Sequence, residues 1–115
     1  MPGNKVEVST VSGLQIDRAN KQVWVDGICR PQQLTRTEMK FLLFLTAHPG
    51  KVCSRKETVP AVYGSAYVPK VDDDRLDAMV RRIRKKIEGK TRPPRFLVTV
   101  HAVGHRLDCY LGERL

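Results

Sequence analysis

The clearest pattern of hydrophobic and polar positions lies in residues 72–87 and predicts a helix. Leu76, Val80, Ile83 and Ile87 recur at helical spacing, so they share one face. At about 100° per residue, the opposite side is small or basic. Its members are Arg75, Ala78, Arg82 and Lys85, flanked by Arg81 and Lys86. The three aspartates at 72–74 stand where this helix is expected to begin, able to cap its free N–H groups.

A second helical pattern follows position 35. Thr35 is a good N-cap, and Glu38 three residues later completes a capping box. Apolar residues dominate positions 39–45, so this helix is expected to be central to the core. The Pro and Gly in residues 48–50 end it.

A shorter helix is predicted between these two. Ser54 is placed to cap a helix at about residues 55–63. Pro60 falls inside that range and predicts either a kink or a helix that starts late. Residues 64–71 then form a loop that leads to the basic helix.

The residues before position 34 predict a small antiparallel sheet. Short alternating segments occupy 14–16, 23–25 and 28–30. Asp26-Gly27 is a strong two-residue hairpin signal, since a type I′ turn needs positive φ at both central positions. Trp24 is expected to pack into the core or to cap it.

The C-terminal part predicts a hairpin. Residues 96–100 and 106–110 alternate around a connection at 102–104, with Gly104 as a turn glycine, and residues 51–53 predict a short strand. The fold class is therefore α+β: an N-terminal small antiparallel sheet, three helices and a C-terminal β-hairpin. The second and third helices form a helix-turn-helix, and the hairpin lies beside it as a wing.

Length and composition fit one soluble globular domain. The chain has 115 residues and is 41% hydrophobic, enough for a single core but not for two. Residues 1–12 show no periodicity and are expected to be a flexible segment or linker. The domain is expected to span 13–111, with a tail at 112–115.

Charge narrows the class of partner. The formal net charge is +9, which favours a polyanion without separating DNA from RNA, a membrane surface or an acidic protein. A basic helix anchored on a globular core is what insertion into a DNA major groove requires. The alternative is a solvated charged face, in which Asp77 pairs with Arg81 one turn later. Basic residues heavily outnumber acidic ones after Asp77, so nucleic-acid contact is favoured.

No pattern in the sequence predicts a metal site, a cofactor or catalysis. Three widely spaced cysteines give neither a disulfide framework nor a zinc ribbon, and they fit the reducing cytoplasm. His101 and His105 are four apart, but no cysteine or carboxylate completes a metal-binding set. No nucleophile–base pattern or phosphate-binding glycine loop is present, so the chain is not expected to be an enzyme. No apolar run is long enough to cross a bilayer, and no secretory signal is visible.

Several of these motifs together resemble the winged-helix DNA-binding effector domain of OmpR/PhoB-type response regulators. The resemblance covers roughly residues 13–111, in the family's order and spacing. The matching pieces are Leu-Thr-Arg-Thr-Glu at 34–38, His-Pro-Gly-Lys-Val at 48–52, Arg-Leu-Asp at 75–77, the basic run at 80–87, Thr-Val at 99–100 and Val-Gly-His-Arg-Leu at 103–107.

The resemblance implies a recognition helix at 74–89 in the major groove and a wing at 97–107 on phosphates or the adjacent minor groove. Thr99 matches the threonine before the wing turn, and Arg55 opens a helix whose end faces the phosphate backbone. Arg82 is favoured as base reader, since arginine grips guanine O6 and N7 bidentately. The candidate DNA-binding residues are Arg55, Arg75, Arg81, Arg82, Arg84, Lys85, Thr99 and His101.

Some positions depart from the family pattern. His101-Ala102 stands in place of Arg-Gly at the wing tip, and His105 in place of tyrosine. A neutral histidine is drawn less to a narrow minor groove than arginine is, so wing readout is expected to be weaker or pH-sensitive. Met79 sits where a polar residue is common, which predicts either contact with a thymine methyl or sideways packing.

The predicted function is sequence-specific binding of double-stranded DNA, as the effector domain of a bacterial transcription regulator in the cytoplasm. The resemblance implies two further partners: RNA polymerase, through loop 64–71, and a second copy on direct-repeat DNA. The alternative is a winged-helix protein-interaction module that has lost specific DNA binding, favoured by the altered wing. RNA binding ranks third, because few aromatic residues are available for stacking on single strands.

Overall fold

The computed structural model describes residues 8–11, 13–89 and 94–108 of the chain. These residues form three helices, a four-stranded sheet in the order β1-β2-β3-β4 and a three-stranded sheet in the order β5-β7-β6. The expected α+β winged helix-turn-helix is confirmed. The elements are β1 Val8–Val11, β2 Leu14–Asp17, β3 Gln22–Val25, β4 Ile28–Cys29, α1 Arg36–Thr46, β5 Cys53–Ser54, α2 Arg55–Tyr63, α3 Pro69–Ile87, β6 Leu97–Val100 and β7 Gly104–Leu107.

The N-terminal sheet is an antiparallel meander. Asp26 and Gly27 have φ values of 51° and 84° and join Val25 to its partner Ile28, which confirms the two-residue turn. The outer strand β1 pairs with β2 and falls within the segment predicted to be flexible, 1–12. The rest of that segment and the predicted tail at 112–115 lie outside the described residues.

Trp24 of β3 does not pack into the core as predicted, because it lies on the other face of the strand from Val23. Successive side chains of a strand point to opposite faces. Val23 is fully buried in the core, whereas Trp24 is half-buried and is not a member of the core cluster. The smaller valine, not the tryptophan, anchors this strand.

Helix α1 lies at the centre of the molecule. Phe41, Leu42 and Leu45 are fully buried, in one cluster with Leu76 and Ile83 of α3. Thr35 and Glu38 form the predicted capping box at its start.

Helix α2 begins where the sequence predicts. Ser54 caps it in a second capping box with Glu57, and α2 runs without interruption through Pro60. A helix that starts late is therefore wrong for this segment. Gly64 ends it with φ of 75°.

Helix α3 begins three residues earlier than predicted. Pro69 occupies its first turn, where a missing N–H costs nothing. The aspartates therefore do not provide the N-cap: Val68 holds that position without a side-chain cap, and Asp72 accepts a hydrogen bond from the Val68 N–H at 2.6 Å. The loop predicted at 64–71 shortens to 64–68.

The wing hairpin also differs from its predicted bounds. Strand β7 is Gly104–Leu107 and so begins two residues earlier than predicted, while residues 109–110 of the predicted strand lie outside the described residues. The turn comprises residues 101–103. Gly104 is not a turn glycine. Gly104 pairs with Ser54 of β5, and there the two strands approach each other closely. A Cβ added to Gly104 would overlap the Cys53 carbonyl group. Strand β5 is Cys53–Ser54, which begins two residues later and ends one residue later than predicted.

Candidate nucleic-acid interface

Helix α3 exposes one row of side chains directly opposite its buried stripe. Leu76, Val80, Ile83 and Ile87 face the core. The row on the far side, which we call the outer line, consists of Asp74, Ala78, Arg81 and Lys85. Their spacing places them on one helical face. Ala78 is half-buried and the other three are exposed.

The two cationic side chains of the outer line have no ionic partner among the described residues. Within residues 8–11, 13–89 and 94–108, neither the Arg81 nor the Lys85 side chain makes a hydrogen bond or ion pair. The Asp77–Arg81 pair considered from the sequence does not form, because Asp77 is bonded to Arg55 instead. Arg81 and Lys85 are therefore available to an external anion.

Arg82 lies on a flank of α3, against the start of α1. Its Nε donates to Glu38 Oε2 at 3.2 Å, while Lys86 Nζ donates to Glu38 Oε1 at 2.6 Å. Glu38 is fully buried, and its Oε1 also accepts from the Thr35 N–H at 3.0 Å. Burial acts to raise the pKa of Glu38, but the hydrogen bonds from Lys86, Thr35 and Arg82 hold it below its usual value. The Arg82 side chain remains 56% exposed, so its outer part can still reach a ligand.

Arg75 lies on the same flank, nearer the start of α3. Its Nη1 donates to Asp72 Oδ1 at 2.9 Å, and its guanidinium carbon lies 3.7 Å from the centre of the Tyr63 ring. A cation over an aromatic face is attracted by the ring's negative quadrupole. Arg75 therefore packs the start of α3 against the end of α2.

Arg55 joins the other end of α2 to the opposite flank of α3. Its Nη2 donates to Asp77 Oδ1 at 3.0 Å, and its Nη1 lies 3.4 Å from Asp73 Oδ1. The Arg55 side chain is only 20% exposed. Its charge is thus largely balanced by two carboxylates of α3.

Arg84 connects α3 to the wing. Its Nε and Nη2 donate to the Leu97 carbonyl oxygen at 3.1 and 3.0 Å, and Nη2 also donates to Thr99 Oγ1 at 2.8 Å. Burial lowers the pKa of Arg84. The Thr99 hydroxyl is exposed and, since it accepts from Arg84, keeps its own proton to donate outward.

Glu88 is a positioning residue that the sequence did not reveal. It is 7% exposed, and its carboxylate accepts hydrogen bonds from the N–H groups of Arg95, Phe96 and Leu97 at 2.8, 2.9 and 2.7 Å. The end of α3 is thereby bonded to the first residues of the wing. An acid after a basic run reads as a surface residue, so the sequence carried no signal for this contact.

The two wing histidines occupy different environments. His101 is exposed at the turn, whereas His105 is 1% exposed and packs edge-on against Phe41, with ring centroids 5.8 Å apart. Burial, followed by the nearby charges of Arg55 and Arg84, lowers the pKa of His105 to about 4. Its Nδ1 is the one buried side-chain nitrogen or oxygen of the described residues without a hydrogen-bond partner. The same residues contain no cluster of ligands able to hold a metal ion.

Met79 is fully buried, and the Tyr63 hydroxyl donates to its sulfur at 3.8 Å. Sideways packing is thus confirmed, and contact with a thymine methyl is wrong for this residue.

Comparison with protein families decides the identity of this arrangement. The family model described as "Transcriptional regulatory protein, C terminal" matches residues 30–107. The chain belongs to this family. The winged-helix domain of OmpR/PhoB-type response regulators, which the sequence motifs resemble, is thereby confirmed as its class.

Curated relatives extend beyond this domain. Transcriptional regulatory protein AfsQ1 of Streptomyces coelicolor is 38% identical over 101 residues, which are 87% of this chain and 43% of the relative. Phosphate regulon transcriptional regulatory protein PhoB of Escherichia coli is 32% identical over 102 residues, 89% of this chain and 42% of the relative. The chain thus spans about two fifths of the length of these relatives.

Solved structures of family members share the fold. The DNA-binding domain of Klebsiella pneumoniae RstA, crystallised with the RstA box, aligns with a TM-score of 0.75 over 91% of this chain and all of that chain, at 24% identity. The AdeR DNA-binding domain, crystallised with an intercistronic region, aligns with a TM-score of 0.69 over 89% of this chain and 99% of that chain, at 28% identity. In the part of the present chain that the structure describes, no helix has the length and apolar character needed to cross a membrane.

Proposed function

We propose that this chain binds double-stranded DNA in a sequence-specific manner, as the effector domain of a bacterial transcription regulator. One observation carries the proposal: Arg81 and Lys85 stand exposed and unpaired, among the described residues, on a helix whose opposite face is locked into the core. A B-DNA major groove is about 12 Å wide and admits one α-helix. Family membership and the likeness to domains crystallised with DNA support the same conclusion.

The basic residues of α3 take different roles in this proposal. Arg81 and Lys85 enter the groove from the outer line. Arg82 reaches a guanine from the flank, with its Nε bonded to Glu38 and its exposed outer part free for O6 and N7. Arg55, Arg75 and Arg84 hold α3 against α2 and the wing, and their charge adds to the field that attracts phosphates.

The wing makes the second contact. The exposed Thr99 and His101 lie at the end of the hairpin that Arg84 and Glu88 fasten to α3. Thr99 donates its hydroxyl proton to a phosphate, and His101 approaches the adjacent backbone or minor groove.

We also assign protein partners and a compartment to this domain. Two apolar side chains are exposed near the junction of α2 and α3. Val68, just before α3, is 53% exposed, and Val71, in the first turn of α3, is 56% exposed. These apolar side chains suit contact with RNA polymerase, and a second copy binds next to the first on direct-repeat DNA. The domain acts in the cytoplasm and has no catalytic activity of its own.

Selection of bound duplexes from a random DNA pool, followed by anisotropy titration at two salt concentrations, tests the proposal. We expect an enriched motif, with log affinity falling by roughly 0.9 per log unit of salt for each phosphate neutralised. Failure to enrich any motif, or weak binding insensitive to salt, contradicts the proposal and supports a protein-interaction module.

Two lysines provide a matched pair of variants for this titration. Lys85→Ala removes a cation from the outer line, whereas Lys40→Ala removes one from α1. Lys40 follows Glu38 by two residues, about 200° round the helix, so it points away from α3. Lys85→Ala is expected to weaken binding about tenfold more than Lys40→Ala does. Equal losses contradict the placement of α3 in the groove.

A further inference from the structure

Three consecutive aspartates near the start of α3 have different surroundings. Asp72 accepts hydrogen bonds from the Val68 N–H at 2.6 Å and from Arg75 at 2.9 Å. Asp73 accepts from the Tyr67 hydroxyl at 2.6 Å and pairs with Arg55. The Asp74 side chain is exposed and makes no hydrogen bond or ion pair with any other residue that the structure describes. The fold therefore explains two of these carboxylates and leaves the third unused.

The position of Asp74 on α3 gives it a place at the interface. It is the first member of the outer line, four residues before Ala78 and eleven before Lys85. At 1.5 Å per residue, Asp74 and Lys85 are about 16 Å apart along the helix axis. A helix that inserts Arg81 and Lys85 into a groove brings its N-terminal part to the base edges as well. The small Ala78 between them does not hold the helix away from the DNA.

The chemistry of a carboxylate restricts what it can contact there. Phosphates repel it, so it gains nothing from the DNA backbone. On the major-groove edges of the bases, its favoured partner is the N4 amino group of cytosine, which donates a hydrogen bond. An unpaired acid on the outer line therefore lowers affinity for DNA in general and raises the preference for one base.

We infer that Asp74 is a specificity-determining residue, which accepts a hydrogen bond from the amino group of a cytosine in the major groove. The inference rests on the proposed function, because it needs α3 in that groove. It adds a base contact that lies about two helical turns N-terminal to Arg81 and about three turns N-terminal to Lys85. This contact is made by a side chain of the opposite charge.

Selection from a random duplex pool with Asp74→Asn tests this inference. Asparagine is isosteric with aspartate but pairs with N6 and N7 of adenine. We expect one position of the motif to change from cytosine to adenine, with the original preference falling about fivefold or more. Asp17→Asn in β2 is the matched control, because it makes the same change of charge in the N-terminal sheet. It is expected to leave the motif unchanged.

The outcomes separate the two proposals. If the Asp74→Asn variant selects the same motif as the wild type and binds all sequences more tightly by the same factor, the role of Asp74 is overturned. The proposed function then stays intact. A wild-type chain that enriches no motif overturns the proposed function itself. Since Asp74 is exposed and has no partner among the described residues, the variant is expected to keep the wild-type melting temperature, which thermal unfolding checks.

Discussion

Lys86 donates a hydrogen bond of 2.6 Å to the buried carboxylate of Glu38, a residue 48 positions earlier in the chain. Lys86 lies near the end of α3, and Glu38 lies in the first turn of α1. The same carboxylate completes the cap of α1 and receives Arg82. One fully buried acid thus joins the central helix of the core to the helix proposed to enter DNA.

Replacing Glu38 by glutamine is expected to destabilise the fold. The substitution replaces the charged carboxylate with a neutral amide. Lys86, only 15% exposed, is then left without a counter-ion. Loss of a charged hydrogen bond of this kind costs about 2 kcal/mol, measurable by urea unfolding. Glu57→Gln is a matched control, because Glu57 holds the corresponding capping-box position of α2 on the surface. A loss for Glu38→Gln no larger than that for Glu57→Gln would contradict the role assigned to the buried carboxylate.

Arg82→Lys separates charge from base reading. Lysine keeps the positive charge but lacks the planar fork that grips guanine at two atoms. We expect a loss of about 1–3 kcal/mol on the selected site, relaxed preference at one guanine position and an unchanged salt slope. Equal loss on every sequence in an anisotropy titration would rule out base reading by Arg82.

Arg84→Lys is expected to loosen the wing. A single ammonium cannot replace the fork that bonds both the Leu97 carbonyl and the Thr99 hydroxyl. Amide hydrogen exchange in β6 and β7 should accelerate, while exchange in the N-terminal sheet stays unchanged. A uniform acceleration over the whole domain would point to general destabilisation instead.

Stability is expected to fall as the pH drops from about 6.5 to 4. The pKa of His105 is lowered to about 4 in the folded chain, against 6.5 when unfolded. Between these values the unfolded chain binds more protons, so acid favours unfolding, by up to about 1.4 kcal/mol per pH unit. The loss from Glu38 begins lower, because its pKa lies below 4.5 when folded and its contribution disappears only as the pH falls through that lowered value.

His105→Leu tests this assignment, since leucine has a similar volume, does not titrate and removes the unbonded Nδ1. Urea unfolding between pH 4 and 7 should give a flatter stability profile for the variant. A variant as acid-sensitive as the wild type would place the effect on other groups.

His101→Arg tests the proposed contact of the wing tip. An arginine is drawn into the narrow minor groove of A-tracts by its enhanced negative potential. Binding to sites with AT-rich flanks should strengthen relative to sites with GC-rich flanks, measured by anisotropy at one salt concentration. Equal strengthening on both kinds of flank would indicate a phosphate contact only.

Local signals predicted the fold well. The capping box of Thr35, the Ser54 cap and the turn at Asp26-Gly27 were all read from the sequence, because each involves residues within three positions of one another. The sequence misleads at the start of α3, because three aspartates resemble caps, although Pro69 is the better signal for a first turn.

The candidate site was harder to predict because it depends on contacts between distant residues. A helical projection centred on the apolar stripe of α3 places Arg75 and Arg82 opposite the core. That stripe is defined by Leu76, Val80, Ile83 and Ile87. The burial of Met79 widens the apolar stripe towards these two arginines, so both lie on a flank, engaged with Asp72 and Glu38. Whether a charged side chain is free or paired cannot be read from its own helix.

The hydrogen bonds that three backbone N–H groups donate to the Glu88 carboxylate affect how the domain tolerates variation in its target DNA. Since these hydrogen bonds hold the base of the wing against the end of α3, the distance between a groove contact and the neighbouring backbone contact is largely set before binding. Little conformational entropy is then lost at this junction on association. The corresponding cost falls on the DNA, whose local twist must match a fixed protein spacing. Sequences that differ in torsional stiffness should therefore differ in affinity even where no side chain touches a base.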